Sequence, residues 1–339
     1  MDADSMGNKY LGVPIPAYTS IEEEYCSLVE NVAIVDRSGV GRLWCRGEDA
    51  LDLINRLSTN QMIGLSPNKG VATVLTSNKG RIIDVLSIFN FDNDLFVQTS
   101  PFASEKIVKW INFYTIMESV SVDDVTTETS MMSLIGPNSS SVLKDLIDLD
   151  FSLELYEGKQ ISLNGIDTIV CRSDFAFPDA YDFIVEKHNL DALWEIFCSV
   201  GVMPVGSKAL DLLRIEQGIP SYTRELTDSY NPLESGLRKY ISFNKGCYIG
   251  QEVIARLDAY KKVQKYLVGL EWESTGKIDS LAGLFKDNDQ IGLITSWSVS
   301  PKDKKNIGLG YVRKANAIVG ELLQSDNEDM VDVYVKSVF

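Results

Sequence analysis

The 339-residue chain has one histidine, His188, and five cysteines. A single histidine excludes most Ser-His and Cys-His nucleophile pairs and most histidine-based metal sites. The cysteines are odd in number and far apart, and no two have C-x-x-C spacing: Cys26, Cys45, Cys171, Cys198 and Cys247. We therefore predict reduced thiols, with no zinc site, redox-active dithiol or disulfide framework. We also expect no iron–sulfur cluster held by this chain alone.

Positive charge is also scarce, with 32 Lys and Arg against 48 Asp and Glu and a net charge of −16. This balance argues against binding to nucleic acid or to an anionic membrane, although a local basic pocket could still bind a small anion. No apolar run approaches about twenty residues, so no membrane span is predicted. The opening MDADSMGNKY has the layout of neither a secretory signal nor a transit peptide. We expect a cytoplasmic protein, while a processed organellar protein would have the same features.

What is present is typical of a soluble globular protein of two or three domains, with 45% apolar and 24% charged residues. A capping box, Ser20-Ile21-Glu22-Glu23, predicts a helix from there to about Val32. Alternating apolar and polar residues over 71–100 predict a three-stranded antiparallel meander. The segment 101–117 predicts a helix starting at Pro101.

The chain changes character near residue 260. After about Lys262 it consists of short apolar segments separated by polar turns, which predicts a small all-β domain at 262–339. Residues 1–258 are predicted to form an α+β region. Within that region, 42–57 and 132–147 both have the order strand, glycine turn, helix, which favours duplicated α+β modules.

The first site prediction concerns Asp84 in GRIIDVLSIF, a carboxylate in the middle of an apolar strand. Removing a carboxylate from water is costly unless it has a partner. Either the strand is half buried and Asp84 faces solvent, or Asp84 lines a cavity. In the second case it would bind a cationic or N–H-rich ligand, or act as a base with a raised pKa.

The second concerns Arg214 in LLRIEQGIP, near the end of a predicted helix at 207–218. Arg214 either caps the last helical carbonyls or points into a pocket as a clamp for an anion or carbonyl.

The third concerns NKGCYIGQE, residues 244–252, between a predicted strand end at 241–243 and a predicted helix start at 250. A thiol before a helix N-terminus and near Lys245, with Arg256 further along, is expected to have a lowered pKa. Gly246 and Gly250 suit backbone angles or close approaches that a side chain would forbid. The alternative is that Cys247 is simply a small buried apolar residue in a turn.

The run from Lys245 to Glu252, with Ala255 and Arg256 after it, resembles the signature of the YgfZ-type folate-binding proteins. These are relatives of the aminomethyltransferase (T-protein) of the glycine cleavage system and are linked to iron–sulfur protein maturation. Further resemblances to the wider family cover roughly residues 20 to 315, in GEDALDLINRLSTNQM, LRIEQGIP, NPLESGL and IGLITSWSVSP…IGLGYV.

The resemblance implies an α+β fold: a cloverleaf of ferredoxin-like modules around a central folate-binding hole, plus a small C-terminal β-barrel. It implies tetrahydrofolate, or a one-carbon derivative, as the ligand, with Asp84 and Cys247 as catalytic residues. The implied folate contacts are Asp84, Thr99, Tyr181, Arg214, Lys245 and Tyr248. The implied supports of the loop motif are Gly246, Gly250, Gln251, Glu252 and Arg256.

Several positions depart from the aminomethyltransferase pattern. Val85 replaces the second of two adjacent aspartates, and Cys247 and Gln251 instead resemble the YgfZ branch. Pro178 stands where a glutamate would contact the pterin, with Asp179, Tyr181 and Asp182 nearby, and Thr99 replaces an asparagine. The resemblance therefore favours a tetrahydrofolate-binding protein of iron–sulfur protein assembly or repair, with a functional thiol at Cys247 and assembly or client proteins as partners. The alternative is a folate-dependent aminomethyl- or methyltransferase that depends on Asp84. A third interpretation is a degenerate relative of these enzymes that serves only as a binding scaffold and catalyses no reaction.

Overall fold

The computed structural model describes residues 15–148, 150–174, 180–273, 281–325 and 330–339, so Pro178 and Asp179 lie outside the described residues. The helices are α1 Ile21–Glu30, α2 Ala50–Leu57, α3 Ser104–Tyr114, α4 Ser139–Leu146, α5 Leu190–Ser199, α6 Ser207–Glu216 and α7 Gln251–Ala259. Short 3-10 helices span Lys187–Asn189 and Arg238–Tyr240.

The strands before α6 are β1 Ala33–Asp36, β2 Val40–Arg46, β3 Gly70–Thr76, β4 Ile82–Phe91, β5 Asp94–Pro101, β6 Ser121–Asp124, β7 Thr129–Ile135, β8 Glu157–Leu163, β9 Ile166–Ser173, β10 Ala180–Glu186 and β11 Met203–Pro204. Those after α7 are β12 Lys265–Trp272, β13 Gly283–Lys286, β14 Asp289–Val299, β15 Asn306–Arg313, β16 Leu322–Ser325 and β17 Asp332–Val338.

The chain divides into two compact units, one comprising Met1–Thr73 and Asp84–Leu210 and the other Val74–Ile83 and Asp211–Phe339. The end of the β3–β4 hairpin thus belongs to the second unit. Among the described residues, no helix is both long and apolar enough to cross a membrane.

The first unit is built on two sheets. One has the order β3-β4-β5-β2-β6 and contains the predicted meander, and the other has the order β11-β1-β7-β10-β9-β8. Phe89 and Phe96 of the first sheet share one buried cluster with Met131 and Ile184 of the second, so these two sheets pack face to face. Helices α4 and α5 pack on the second sheet through a separate apolar cluster.

The two similar sequence segments adopt the same local structure. Gly47 joins β2 to α2 and Gly136 joins β7 to α4, with φ angles of +120° and +133°. A Cβ at Gly47 would lie 1.9 Å from the carbonyl oxygen of Ser119, and one at Gly136 would lie 2.5 Å from that of Asn31. Both turns therefore require glycine.

A fully buried arginine joins two turns of the first unit. Arg42 donates from Nε to the hydroxyl of Thr129 at 2.7 Å and from Nη2 to the Thr129 carbonyl at 3.0 Å. Its Nη1 donates to the carbonyls of Ser38 and Val40, and Nη2 also donates to that of Thr126. All five N–H groups are satisfied without a carboxylate, which explains how the charge is tolerated in the interior.

The predicted cap at the N-terminus of α1 is confirmed, whereas the predicted start of α3 at Pro101 is wrong. The Ser20 hydroxyl accepts a hydrogen bond from the Glu23 N–H at 3.2 Å, as a capping residue should. Pro101, by contrast, ends β5, where it pairs with Val40, and α3 begins only at Ser104. A tight turn intervenes, because the Ala103 N–H bonds back to the Ser100 carbonyl at 3.2 Å.

The second unit contains the predicted C-terminal barrel, which confirms the mixed α+β class with a small β-barrel. Its six strands close in the order β12-β15-β14-β13-β16-β17 around Trp272, Leu284, Ile294 and Val312. The predicted strand end at 241–243 is wrong, because that segment follows a 3-10 helix and forms no strand.

Candidate functional site

Asp84 is a fully buried carboxylate on β4, which excludes the solvent-facing alternative. Its Oδ2 accepts a hydrogen bond from the main-chain N–H of Ser100 on β5 at 3.0 Å. Its Oδ1 is also buried and has no hydrogen-bond partner of normal geometry among the described residues. A buried oxygen without a partner is costly, and is a place where a ligand N–H would be favourable.

The surroundings of Asp84 change its acidity. Burial raises its pKa to about 6, although hydrogen bonds from Ser100 and Val85 and the positive charge of Lys106 act in the opposite direction. A carboxylate with a pKa near 6 is ionised at neutral pH yet close enough to that pH to take up a proton, which suits a general base.

Thr99 lies beside Asp84 because both bond to Ser100. The Thr99 hydroxyl donates to the Ser100 carbonyl at 2.9 Å. A Cβ at Gly41 on β2 would lie 2.2 Å from this hydroxyl oxygen and 2.8 Å from Ser104 Cβ. Gly41 therefore allows β2 to approach Thr99 and the start of α3 closely. The sequence prediction missed Ser100, whose side chain and main-chain N–H both act on the Asp84 carboxylate.

Tyr181 lies apart from this group, in the apolar cluster beneath α4 and α5. Its hydroxyl is 2.8 Å from that of Ser140 on α4. The next residue, Asp182, accepts hydrogen bonds from the Ser133 hydroxyl and from Nη1 of Arg37, the latter at 3.3 Å. Burial raises the pKa of Asp182 despite these partners. The alternation of β10 thus turns Tyr181 to the core and Asp182 to a polar cluster.

Arg214 belongs to a buried network in the second unit. Its guanidinium donates to Asp211 at 2.5 Å, to Glu225 at 3.1 Å and to the Ser296 hydroxyl of β14 at 2.7 Å. Glu225 also accepts a hydrogen bond from the Thr295 hydroxyl. These contacts fasten the last turn of α6 to the barrel, an interaction that neither sequence alternative anticipated.

The segment 244–252 alternates between buried and exposed residues. Lys245 and Tyr248 are buried, with Lys245 Nζ 5.4 Å from the Tyr248 ring centroid, whereas Gly246 and Cys247 are exposed. Burial lowers the pKa of Lys245 to about 8 and raises that of Tyr248 to about 12. Since the Cys247 thiol is exposed, the alternative of a buried apolar cysteine is excluded.

Gly250 fixes this segment against the hairpin end. It starts α7 with φ +85°, and a Cβ there would lie 2.5 Å from the Ser77 carbonyl and 3.0 Å from Gly80 Cα. The Thr76 hydroxyl donates to the Ile249 carbonyl at 2.5 Å. At Gly246 a Cβ would meet nothing within 4 Å. Gly250 is therefore required by packing, whereas Gly246 is not.

The remaining motif residues lie along α7. Gln251 and Glu252 form its first turn, and Arg256 lies in its last turn with its side chain exposed. Among the described residues, no three His, Cys, Asp or Glu side chains are grouped so that they could hold a metal ion.

The sequence matches two known protein-domain families. Residues 6–245 match the GCVT N-terminal domain, and residues 265–336 match the glycine cleavage T-protein C-terminal barrel domain. The chain therefore belongs to the glycine cleavage T-protein family. These matches do not distinguish the YgfZ branch within it.

Individual proteins of known class are also similar to this chain. An aminomethyltransferase of Geobacillus kaustophilus is 30% identical over 319 residues, which cover 91% of this chain and 86% of that protein. A putative chloroplastic transferase of Arabidopsis thaliana is 29% identical over 308 residues, 90% of this chain and 71% of that protein. The crystal structure of the glycine cleavage system aminomethyltransferase T from Bartonella henselae has the same fold, with a TM-score of 0.85 over 95% of this chain and 90% of that one, at 18% identity.

We predict that the wild-type protein becomes less stable as pH rises from about 4 to 7, and that Asp84→Asn removes this loss of stability. Because folding raises the Asp84 pKa from 3.8 to about 6, the unfolded chain loses this proton first as pH rises. The wild type should therefore lose roughly 3 kcal/mol through this group between about pH 4 and pH 7, and the variant should not. Urea unfolding of both proteins across this range measures the difference. Asp167→Asn, at an exposed aspartate, is the control, and parallel pH profiles for wild type and Asp84→Asn would contradict the prediction.

We predict that Gly250→Ala is strongly destabilising and that Gly246→Ala is nearly neutral. Alanine at Gly250 meets both left-handed strain and a carbonyl 2.5 Å away, which should lower the free energy of unfolding by about 2–3 kcal/mol. Chemical denaturation of the two matched variants tests this. Equal stability of the pair would show that the segment is not held by Gly250.

Proposed function

We propose that this chain binds a tetrahydrofolate at Asp84 and transfers a one-carbon unit to or from it. The observation that carries the proposal is the buried Asp84 carboxylate, with one oxygen held by Ser100 and the other without a partner of normal geometry among the described residues. Membership of the T-protein family supports it, as does the similarity to bacterial aminomethyltransferases.

The proposed chemistry assigns one task to each oxygen of Asp84. Tetrahydrofolate supplies the nitrogen atoms that carry the one-carbon unit. The Ser100 N–H orients the carboxylate through Oδ2, which leaves Oδ1 to accept a hydrogen bond or a proton from the ligand. The raised pKa, about 6, makes this proton transfer favourable near neutral pH. The donor of the one-carbon unit is proposed to be an aminomethyl or methyl compound.

Of the other predicted folate contacts, Thr99 is proposed to bind the ligand beside Asp84, whereas Tyr181 is proposed to act indirectly because its side chain is buried beneath α4 and α5. The contacts at Lys245 and Tyr248 remain predictions. For Arg214 we propose an indirect role, because its guanidinium already binds Asp211, Glu225 and Ser296. We also propose a cytoplasmic location for this chain. The Arabidopsis relative, by contrast, is a chloroplastic protein.

We predict that Asp84→Asn reduces turnover by about 10²–10⁴-fold, the range expected for loss of a general base. In the wild type, kcat/KM should rise with pH through about 6 and then level off, because the base must be ionised. The assay mixes protein, tetrahydrofolate and aminomethyl or N-methyl donors, and measures methylene- or methyltetrahydrofolate. Asp167→Asn should behave as wild type. Undiminished turnover by Asp84→Asn would refute the catalytic role.

A second candidate function is favoured by one observation, the exposed thiol of Cys247 between the buried anchors Lys245 and Tyr248. In this case the chain would be a folate-binding accessory protein of the YgfZ type. Its thiol would act in the assembly or repair of iron–sulfur proteins, with assembly or client proteins as partners. The two candidates depend on different residues, so they can be tested separately.

We predict that Cys247→Ala keeps the fold and the folate-dependent turnover but abolishes the cellular function. The loop should persist because Gly250, Lys245 and Tyr248 hold it. The measurement is the activity of iron–sulfur enzymes in a host lacking its own protein and supplied with each variant. Cys198→Ala, at a half-buried thiol, is the control. Full complementation by Cys247→Ala would remove the thiol from the mechanism.

A further inference from the structure

The turn that follows Ser100 contains an unusual phenylalanine. Phe102 has φ +61°, in the left-handed region that bulky residues rarely adopt. Its side chain is 74% exposed, so the aromatic ring is largely in water. Strained backbone is found preferentially at functional sites, which makes this residue a candidate for one.

The turn is fixed on both sides. The Phe102 N–H donates to the Gly39 carbonyl at 2.8 Å, and the Ala103 N–H donates to the Ser100 carbonyl at 3.2 Å. Ser100 in turn donates its own N–H to Asp84. Because two residues span at most about 7 Å, the Phe102 Cα lies within that distance of the residue that holds the catalytic carboxylate.

The far end of the Phe102 ring lies close to Gly39. A Cβ at Gly39 would lie 3.1 Å from Phe102 Cζ and 3.4–3.5 Å from the two Cε atoms. Since Gly39 has no side chain, the tip of the ring rests close to its backbone while most of the ring stays exposed. So little burial contributes little to stability. Folding stability therefore explains neither the strained backbone nor the position of the ring.

We propose that Phe102 is a binding residue for the aromatic part of the folate, with its ring packed against the p-aminobenzoyl or pterin group of a ligand whose nitrogen faces Asp84. This inference rests on the proposed function. Aromatic rings pack favourably in stacked or edge-to-face geometry, and the exposed Phe102 ring has most of its surface available for such a contact. The residue therefore selects a flat, ring-containing carrier of the one-carbon unit.

The test measures the binding of tetrahydrofolate and of the air-stable 5-formyltetrahydrofolate by calorimetry. We expect Phe102→Leu to weaken binding about tenfold, or about 1.4 kcal/mol, and Phe102→Tyr to bind as wild type. Phe102→Gly should also bind about tenfold more weakly while its Tm stays within about 2 °C of wild type, because glycine tolerates the positive φ. Phe113→Leu, at a phenylalanine 73% exposed on α3, is the matched control and should bind normally.

The outcomes separate this inference from the function on which it rests. Wild-type affinity in Phe102→Leu overturns the aromatic contact alone. Loss of affinity in Phe102→Tyr as large as in Phe102→Leu also overturns it, because the ring would then not be the cause. If the wild-type protein binds neither folate, the proposed function fails and this inference fails with it.

Discussion

The hydrogen bond from the Ser100 N–H to Asp84 is the interaction on which the first unit's site depends. It joins β4 to β5 through Oδ2, while Oδ1 has no hydrogen-bond partner of normal geometry among the described residues. Burying a charge with so little compensation is costly. The burial of apolar residues on the same strand, such as Leu86, Ile88 and Phe89, offsets this cost in the stability of the sheet. In the proposed function, this lost stability is exchanged for reactivity.

Short-range signals in the sequence predicted a large part of the fold. The Ser20 cap, the alternation of the meander and the apolar segments of the barrel each depend on residues close together in the chain, and each is present in the structure. The start of α3 was predicted wrongly for a local reason as well. Proline suits the first turn of a helix, but it also suits the end of a strand where no N–H is needed, and β5 uses Pro101 in that way.

The interactions that could not be predicted join residues far apart in the chain. Arg42 binds Thr129, 87 positions away, and Glu24 accepts the N–H of Gly206, 182 positions away. Arg214 could be recognised as notable, but its partner Ser296 is 82 positions away. Neither periodicity nor spacing identifies such pairs. Asp84 could be singled out because a carboxylate in an apolar strand is unusual in itself, whereas Ser100 is one of several polar residues at the end of β5 and nothing in the sequence pairs it with Asp84.

Asp84 and Cys247 differ in burial and in the contacts that orient them. Asp84 is buried, oriented by a main-chain donor and given a pKa near neutrality, which are properties of a group that exchanges a proton with a bound ligand. Cys247 is exposed on a segment that Gly250 fixes against a hairpin, and an exposed thiol can meet another macromolecule. Because one chain contains both a buried carboxylate and an exposed thiol, folate chemistry and thiol chemistry could be carried out by different residues. In the proposed function, Asp84 serves the folate chemistry of the T-protein family, and in the second candidate function the Cys247 thiol serves a separate task.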